Sequence, residues 1–164
     1  NTTGSLINMS GSAVSIGGNG GTIATITGTA GNNWSLGTLT NSQAGNAVLT
    51  VDTVNATFTT ANLSNSGTSR TLTIQGSGNV TITGEVANGS SSTASALTKA
   101  GTGTLTLAGT NTYAGATSVN GGTLALVGAS MTSAITVATD ASLGFTLGSP
   151  ASSTSTVNLT NGTV

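Results

Sequence analysis

Apolar and polar residues alternate along this 164-residue chain in short runs, many of which end in glycine. The clearest runs place Leu, Ile or Val at every second position with threonine between them, and they cover residues 71–76, 104–109 and 123–128. Successive side chains of a strand point to opposite faces, so this alternation predicts strands with an aliphatic inner face and a threonine-rich outer face. No window has a persuasive 3.6-residue period, and we therefore predict an all-β protein.

The spacing of the runs indicates how the strands are arranged. Leu105, Leu124 and Leu143 follow one another at steps of 19 residues, which is the range of one coil of a solenoid. Small aliphatic residues suit the narrow interior of a β-helix, and glycine supplies the positive φ or the close backbone approach that a coil corner needs. We predict one domain over residues 1–164, a right-handed parallel β-helix (solenoid) with short strands and Gly/Asn turns. An antiparallel sandwich or jelly roll is the alternative, although sandwich cores usually contain more aromatic residues.

The composition excludes several classes of protein. Charged residues make up only 3% of the chain, and the formal net charge is −1. With 35% apolar residues, the chain does not fit the weakly hydrophobic, highly charged class of disordered proteins. Two cations are too few for electrostatic binding to nucleic acid, and no apolar run reaches the ~18 residues of a membrane-spanning helix. We expect no nucleic-acid partner and no membrane insertion by this segment.

The titratable residues are too few and too dispersed for a catalytic centre. Asp52, Glu85 and Asp140 are the only carboxylate side chains, they fall in separate repeats, and the chain has no histidine and no cysteine. Acid–base catalysis needs such groups held together, and serine or threonine hydroxyls need a base to activate them. We therefore expect no enzymatic activity, no cofactor and no bound metal.

Residues 97–126 contain an ordered set of short motifs. The set reads Lys99-x-Gly101-x-Gly103-Thr-Leu105-Thr-Leu107, then Asn111-x-Tyr113-x-Gly115, then Val-Asn120-x-Gly-Thr-Leu124. This stretch resembles the autotransporter passenger-associated repeat, also called the autotransporter-associated β-strand repeat, of bacterial surface proteins. The resemblance implies a parallel β-helix, located extracellularly at the bacterial cell surface within a passenger or adhesin. Residues 1–69 share only the composition and the alternation.

Structural roles are expected for the polar motif residues. Tyr113 is expected to pack over a coil corner with its hydroxyl bonded to the backbone, and a ligand-stacking ring is the alternative. Asn111 and Asn120 are expected to hold turn backbones through their side-chain amides or to form a buried asparagine ladder. Lys99 is expected to be a solvated corner residue.

The function that we expect is a non-catalytic structural protein, as a fibre or filament subunit or as a stalk or adhesin passenger segment. Both ends of the chain have strand-like sequence without the features of a capping repeat. We therefore predict head-to-tail self-association by end-to-end β-strand pairing that involves Leu6, Ile7, Val157 and Leu159. Other surface proteins or glycans are further candidate partners. The alternatives are an ice-binding β-helix, based on outward Thr-x-Thr pairs, and a carbohydrate-binding adhesin, for which Trp34 would be the aromatic platform.

Overall fold

Seventeen β-strands and no helix are present in the described parts of the computed structural model, which are residues 12–17, 23–42, 45–64, 67–90, 94–127, 130–131, 133–146 and 157–159. The strands are β1 (Val14–Ile16), β2 (Ile23–Thr27), β3 (Asn33–Asn41), β4 (Ala47–Asp52), β5 (Asn55–Ser64), β6 (Thr71–Gln75), β7 (Asn79–Ile82), β8 (Val86–Gly89), β9 (Ala96–Lys99), β10 (Thr104–Leu107), β11 (Thr110–Asn111), β12 (Thr117–Val119), β13 (Gly122–Val127), β14 (Ser130–Met131), β15 (Ile135–Val137), β16 (Ala141–Thr146) and β17 (Val157–Leu159).

The strands form two parallel sheets, and the chain passes back and forth between them. The first sheet has ten strands in the order β14-β11-β8-β5-β7-β10-β13-β16, with β3 and β1 continuing beyond β5. The second has seven strands in the order β17-β15-β12-β9-β6-β4-β2, which at about 4.8 Å per strand extend about 30 Å along the axis. Each passage through both sheets is one coil, so the prediction of an all-β parallel solenoid is confirmed. The right-handed winding stays a prediction, since it follows from the handedness rule for parallel crossovers.

The stacking register confirms the predicted leucine column. Leu105 pairs with Leu124, and Leu124 pairs with Leu143, at the predicted step of 19 residues. On the N-terminal side the coil is longer, because Leu105 pairs with Val80 at a step of 25 residues. The solenoid therefore changes its coil length near the middle of the chain without losing the alignment of its inner face.

Most of the shortening lies in one connection between the sheets. Val86 pairs with Asn111 and Leu97 pairs with Thr117, so eleven positions separate the first-sheet and second-sheet strands in one coil and only six in the next. The shorter connection contains Tyr113 and Gly115. We call residues 112–116 the short corner.

The interior between the sheets is filled mainly by aliphatic side chains. Leu72, Leu97, Leu105 and Leu124 have no exposed surface, as the inward half of each alternating run requires. Phe58 and Tyr113 are the largest of the fully buried side chains. The described residues contain no helix that is long and apolar enough to cross a membrane.

Candidate functional site

The motif residues lie on consecutive strands and on the corners that connect them. Strands β9 and β10 flank residues 100–103, which we call the glycine corner. Strands β11 and β12 flank the short corner. The two corners lie on the same coil, where the chain passes from one sheet to the other and back.

Lys99 is buried rather than solvated. It is only 2% exposed, and its Nζ donates hydrogen bonds to Ala100 O (2.6 Å), Gly101 O (3.2 Å) and Gly121 O (3.2 Å). The expectation of a solvated lysine is therefore wrong. The reason is the alternation of β9, in which Leu97 and Lys99 share the inner face.

Burial also changes the acid–base behaviour of this amine. Desolvation lowers the pKa of Lys99 from 10.5 to about 8. These three acceptors are backbone carbonyls, of which the Gly121 carbonyl belongs to the next coil. The amine is enclosed by the corner that it stabilises, so its accessible chemistry is to join two coils rather than to attack a substrate.

The glycines of the Lys-x-Gly-x-Gly motif are required by the close approach of successive coils. Gly101 has a φ of +70°, and a Cβ on it would lie 2.5 Å from Gly76 O. A Cβ on Gly103 would overlap the carbonyl of Gly78, and Gly103 N donates to Gly76 O (3.0 Å). A side chain larger than hydrogen at either position would force the backbones of two coils apart.

The short corner is closed by a buried group of hydroxyls. Tyr113 has no exposed surface, and its hydroxyl lies 2.5 Å from Thr117 Oγ1, which in turn lies 3.2 Å from Ser133 Oγ. Burial raises the pKa of Tyr113, and hydrogen bonds with the hydroxyls of Thr117 and Ser133 oppose that rise. The Tyr113 hydroxyl thus bonds to side chains and not to the backbone as expected, and its ring has no face left for stacking on a ligand.

Backbone contacts fix the rest of the short corner against the preceding coil. Gly115 N donates to Ser95 O (3.0 Å), and a Cβ on Gly115 would overlap that carbonyl. Asn88 Oδ1 accepts hydrogen bonds from Ser95 N (3.0 Å) and Ala114 N (3.1 Å). The spacing Asn-x-Tyr-x-Gly therefore corresponds to a tight corner that is packed onto a longer one.

The two motif asparagines have different environments. Asn111 is buried, and its Nδ2 donates to Gly109 O (3.1 Å), so its amide holds a turn. Asn120 is exposed, and its backbone N donates to Lys99 O (2.8 Å). Because Asn120 is exposed, the two asparagines do not form a buried ladder.

An asparagine ladder exists elsewhere, on the outer surface of the first sheet. Asn55 Nδ2 donates to Asn33 Oδ1 (2.9 Å), and Asn79 Nδ2 donates to Asn55 Oδ1 (3.1 Å). Asn79 Oδ1 then accepts from Thr104 N (3.0 Å). Each of these asparagines begins its strand and is followed two positions later by Ser or Thr, a signal that the sequence reasoning missed.

The carboxylates contact the neighbouring coil rather than one another. Asp52 Oδ1 accepts from Ser77 N (2.9 Å) and Ser77 Oγ (3.2 Å), and Glu85 Oε1 accepts from Thr112 Oγ1 (2.6 Å). No group of three or more potential metal-ligating side chains occurs in the part of the chain that the structure describes. Trp34, the candidate carbohydrate platform, packs partly buried against the core.

The candidate assembly residues are only partly described. Leu6 and Ile7 lie outside the described residues. Val157 and Leu159 lie in β17, whose backbone pairs with Ile135 and Val137 of β15. This segment is therefore already part of the second sheet.

Comparison with known families identifies the coil that contains both corners. Residues 97–126 match the family model of the passenger-associated-transport-repeat. This chain carries that repeat. No curated protein and no solved structure matches the chain. The repeat and the solenoid fit an autotransporter passenger-like surface protein, and the family suggests a secreted or surface location.

In structural terms the repeat begins in β9 and ends in β13. It thus includes the glycine corner, the short corner and the first of the short coils. Its polar and glycine motif positions are occupied here by residues that fasten one coil to the next. The repeat is a structural unit of the solenoid rather than a ligand site.

Proposed function

We propose that this chain is a non-catalytic structural segment of an extracellular protein on a bacterial surface, in which stacked coils form a stiff rod. The observation that carries the proposal is the continuous parallel stacking of both sheets around one aliphatic interior. Such a rod can serve as a stalk, as an adhesin passenger segment or as part of a fibre. Its mechanism is mechanical, since its length holds another part of the assembly away from the cell.

The use made of the polar side chains supports a mechanical role. The Lys99 amine, the Asp52 carboxylate and the Glu85 carboxylate each bond to an adjacent coil. An enzyme would need comparable groups gathered around one accessible point. Here they are distributed along the rod, where each adds a cross-link to the backbone hydrogen bonds.

Force spectroscopy of single molecules tests this proposal. Pulling the two ends of the chain apart should peel off coils one at a time, because each coil contacts mainly its neighbours. A coil of 25 residues should release roughly 80–90 Å of chain and a coil of 19 residues roughly 65 Å. Extension without measurable resistance, or one rupture of the whole chain at low force, would argue against a load-bearing rod.

Head-to-tail association of these rods is the finer part of the proposal. The chain has only five charged side chains, so little repulsion opposes contact between copies. Among the described strands, β17 pairs with β15 alone, and a strand from another copy would extend the same sheet. The partner is therefore proposed to be a second copy, with other surface proteins and glycans as alternatives.

Charge placed in the candidate assembly segments tests this association. The double variants Leu6→Lys with Ile7→Asp and Val157→Lys with Leu159→Asp should reduce light scattering and shorten any particles seen by electron microscopy. The surface variant Thr106→Lys is the matched control, since it adds charge to the outer face of β10. If the unmodified chain stays monomeric at high concentration and neutral pH, head-to-tail association is refuted while the single rod remains.

One observation favours ice binding as a second candidate function. Although the coil length varies, Thr57, Thr81 and Thr106 stack in register on the outer face of the first sheet. Ala125 follows Thr106 in this column, so the threonine array is short. A thermal-hysteresis assay on the unmodified chain decides the matter, since an ice-binding face would produce hysteresis that Thr81→Lys abolishes.

A further inference from the structure

Asn-Gly dipeptides are chemically reactive, and the two that the structure describes have very different surroundings. They are Asn88–Gly89 and Asn120–Gly121; Asn19–Gly20 and Asn161–Gly162 lie outside the described residues. In such a pair the backbone nitrogen of glycine can attack the side-chain amide of asparagine, because glycine has no side chain to crowd that nitrogen. Whether the reaction proceeds depends on whether the two groups are free to approach each other.

The first pair is held away from reaction. Asn88 Oδ1 accepts hydrogen bonds from Ser95 N (3.0 Å) and Ala114 N (3.1 Å), which fixes the amide to two different segments. Gly89 belongs to β8 and pairs with Ser64 of β5, and a Cβ on it would overlap the Ser64 carbonyl. Attack at this site would require the corner to open first.

The second pair lacks these restraints. Asn120 is exposed, and its side-chain amide has no hydrogen-bond partner within the described ranges. Nor does the Gly121 N–H donate to any described group, while Gly121 O accepts from Lys99 Nζ (3.2 Å). Gly122 follows with a φ of +64°, so the corner beyond Asn120 consists of two glycines.

We propose that Asn120 is a site of spontaneous deamidation in the folded protein, whereas Asn88 is protected. Gly121 N forms a bond to Asn120 Cγ and loses its proton, the Cγ–Nδ2 bond breaks, and Nδ2 leaves with that proton as ammonia. Water then opens the cyclic imide at one of its two carbonyls. One product has aspartate at position 120 and the other has isoaspartate, in which the backbone runs through the former side chain.

Both products alter the glycine corner. The carboxylate changes the formal net charge by one unit from its value of −1, a large fraction of the total for this chain. Isoaspartate adds one atom to the backbone between Asn120 N, which donates to Lys99 O, and Gly121 O, which accepts from Lys99 Nζ. Both contacts join neighbouring coils, so the modification acts on the cross-link that Lys99 makes.

Peptide mapping by mass spectrometry after incubation of the folded chain tests the proposal. Trypsin cleaves only after Arg70 and Lys99, so Asn88 and Asn120 fall in different peptides, and fragmentation separates Asn120 from Asn161. At neutral pH the folded chain should deamidate at Asn120 at least about tenfold faster than at Asn88, given the two hydrogen bonds that must break at Asn88. In concentrated urea the two sites should react at similar rates.

A variant and two outcomes make the test decisive. Gly121→Ala crowds the attacking nitrogen and should slow the reaction at position 120 in folded and unfolded chains alike. Equal rates at Asn88 and Asn120 in the folded chain would overturn the proposal. So would a folded chain that keeps Asn120 intact under conditions in which the urea-unfolded chain loses it.

Discussion

Three glycine-to-alanine substitutions separate the two reasons why glycine is needed at the coil corners. Gly31 has a φ of +84°, but no atom lies within 4 Å of the place that a Cβ would occupy. Gly103 has no positive φ, yet its Cβ would overlap the Gly78 carbonyl. Gly101 combines a φ of +70° with overlap against the backbone of Gly76. The three sites therefore isolate conformational strain, steric overlap and both together.

The expected losses of stability follow from these local geometries. Placing alanine in the left-handed region costs about 1–2 kcal/mol, part of which is offset by the less flexible unfolded chain. Overpacking a buried contact costs about 1–3 kcal/mol, and a backbone carbonyl can yield less than a side chain. We thus expect about 1 kcal/mol for Gly31→Ala, about 2–3 kcal/mol for Gly103→Ala and about 3–5 kcal/mol for Gly101→Ala.

Urea unfolding monitored by far-ultraviolet circular dichroism measures these differences. Trp34 fluorescence is less suitable, because Trp34 lies close to Gly31 in the chain and reports on that corner directly. Thr102→Ala is the control for changes at the glycine corner, since Thr102 is exposed between the two motif glycines. Similar losses for Gly31→Ala and Gly101→Ala would show that close stacking of the coils does not constrain the corner.

Three further substitutions test the interior and its buried polar groups. Because the pKa of Lys99 is about 8 in the folded chain and higher in the unfolded chain, the unfolded state binds more protons between these values. The melting temperature should therefore rise from pH 8 towards pH 10, by up to about 3 kcal/mol in unfolding free energy, and Lys99→Met should abolish the rise. Leu124→Ala should cost about 2–5 kcal/mol in urea unfolding, against well under 1 kcal/mol for the outward Thr104→Ser; equal costs would reverse the assignment of faces. Tyr113→Phe should cost about 1–2 kcal/mol by the same assay, because the hydroxyls of Thr117 and Ser133 lose one partner, whereas no loss would mean that this hydrogen bond is not formed.

Much of the fold was predictable because two periodicities in the sequence are independent of each other. The alternation of Thr with Leu determines which side chains face inward, and the 19-residue step aligns Leu105, Leu124 and Leu143. Agreement between a local pattern and a long-range one leaves few alternative folds. The 25-residue step of the earlier coils was not recognised, because their inward residues are more varied, as with Val80 beneath Leu105.

The environment of Lys99 could not be predicted from residue type alone. Lysine is almost never fully buried unless it is paired, and a solvated position is the normal expectation. The alternation nevertheless places Lys99 on the same face as Leu97, and that local signal proved decisive. The amine is tolerated inside because the corner brings carbonyls from two coils within hydrogen-bond distance, an arrangement that depends on stacking and not on neighbouring residues.

A change of coil length is a problem of register, and it explains why the motif residues are concentrated in one coil. If the two sheets shortened in different coils, the leucines of one sheet would lose alignment with the strands that they stack on. In this chain five positions are lost between β11 and β12 and one more between β12 and β13, while the step before β10 is unchanged. Tyr113 fills the tighter corner, and Gly115 permits its backbone to rest on Ser95. Across the interior, the glycine corner and Lys99 hold the other end of the same coil to both of its neighbours. The repeat thus fixes both ends of the coil in which the period changes, so the aliphatic interior can continue through it without a break.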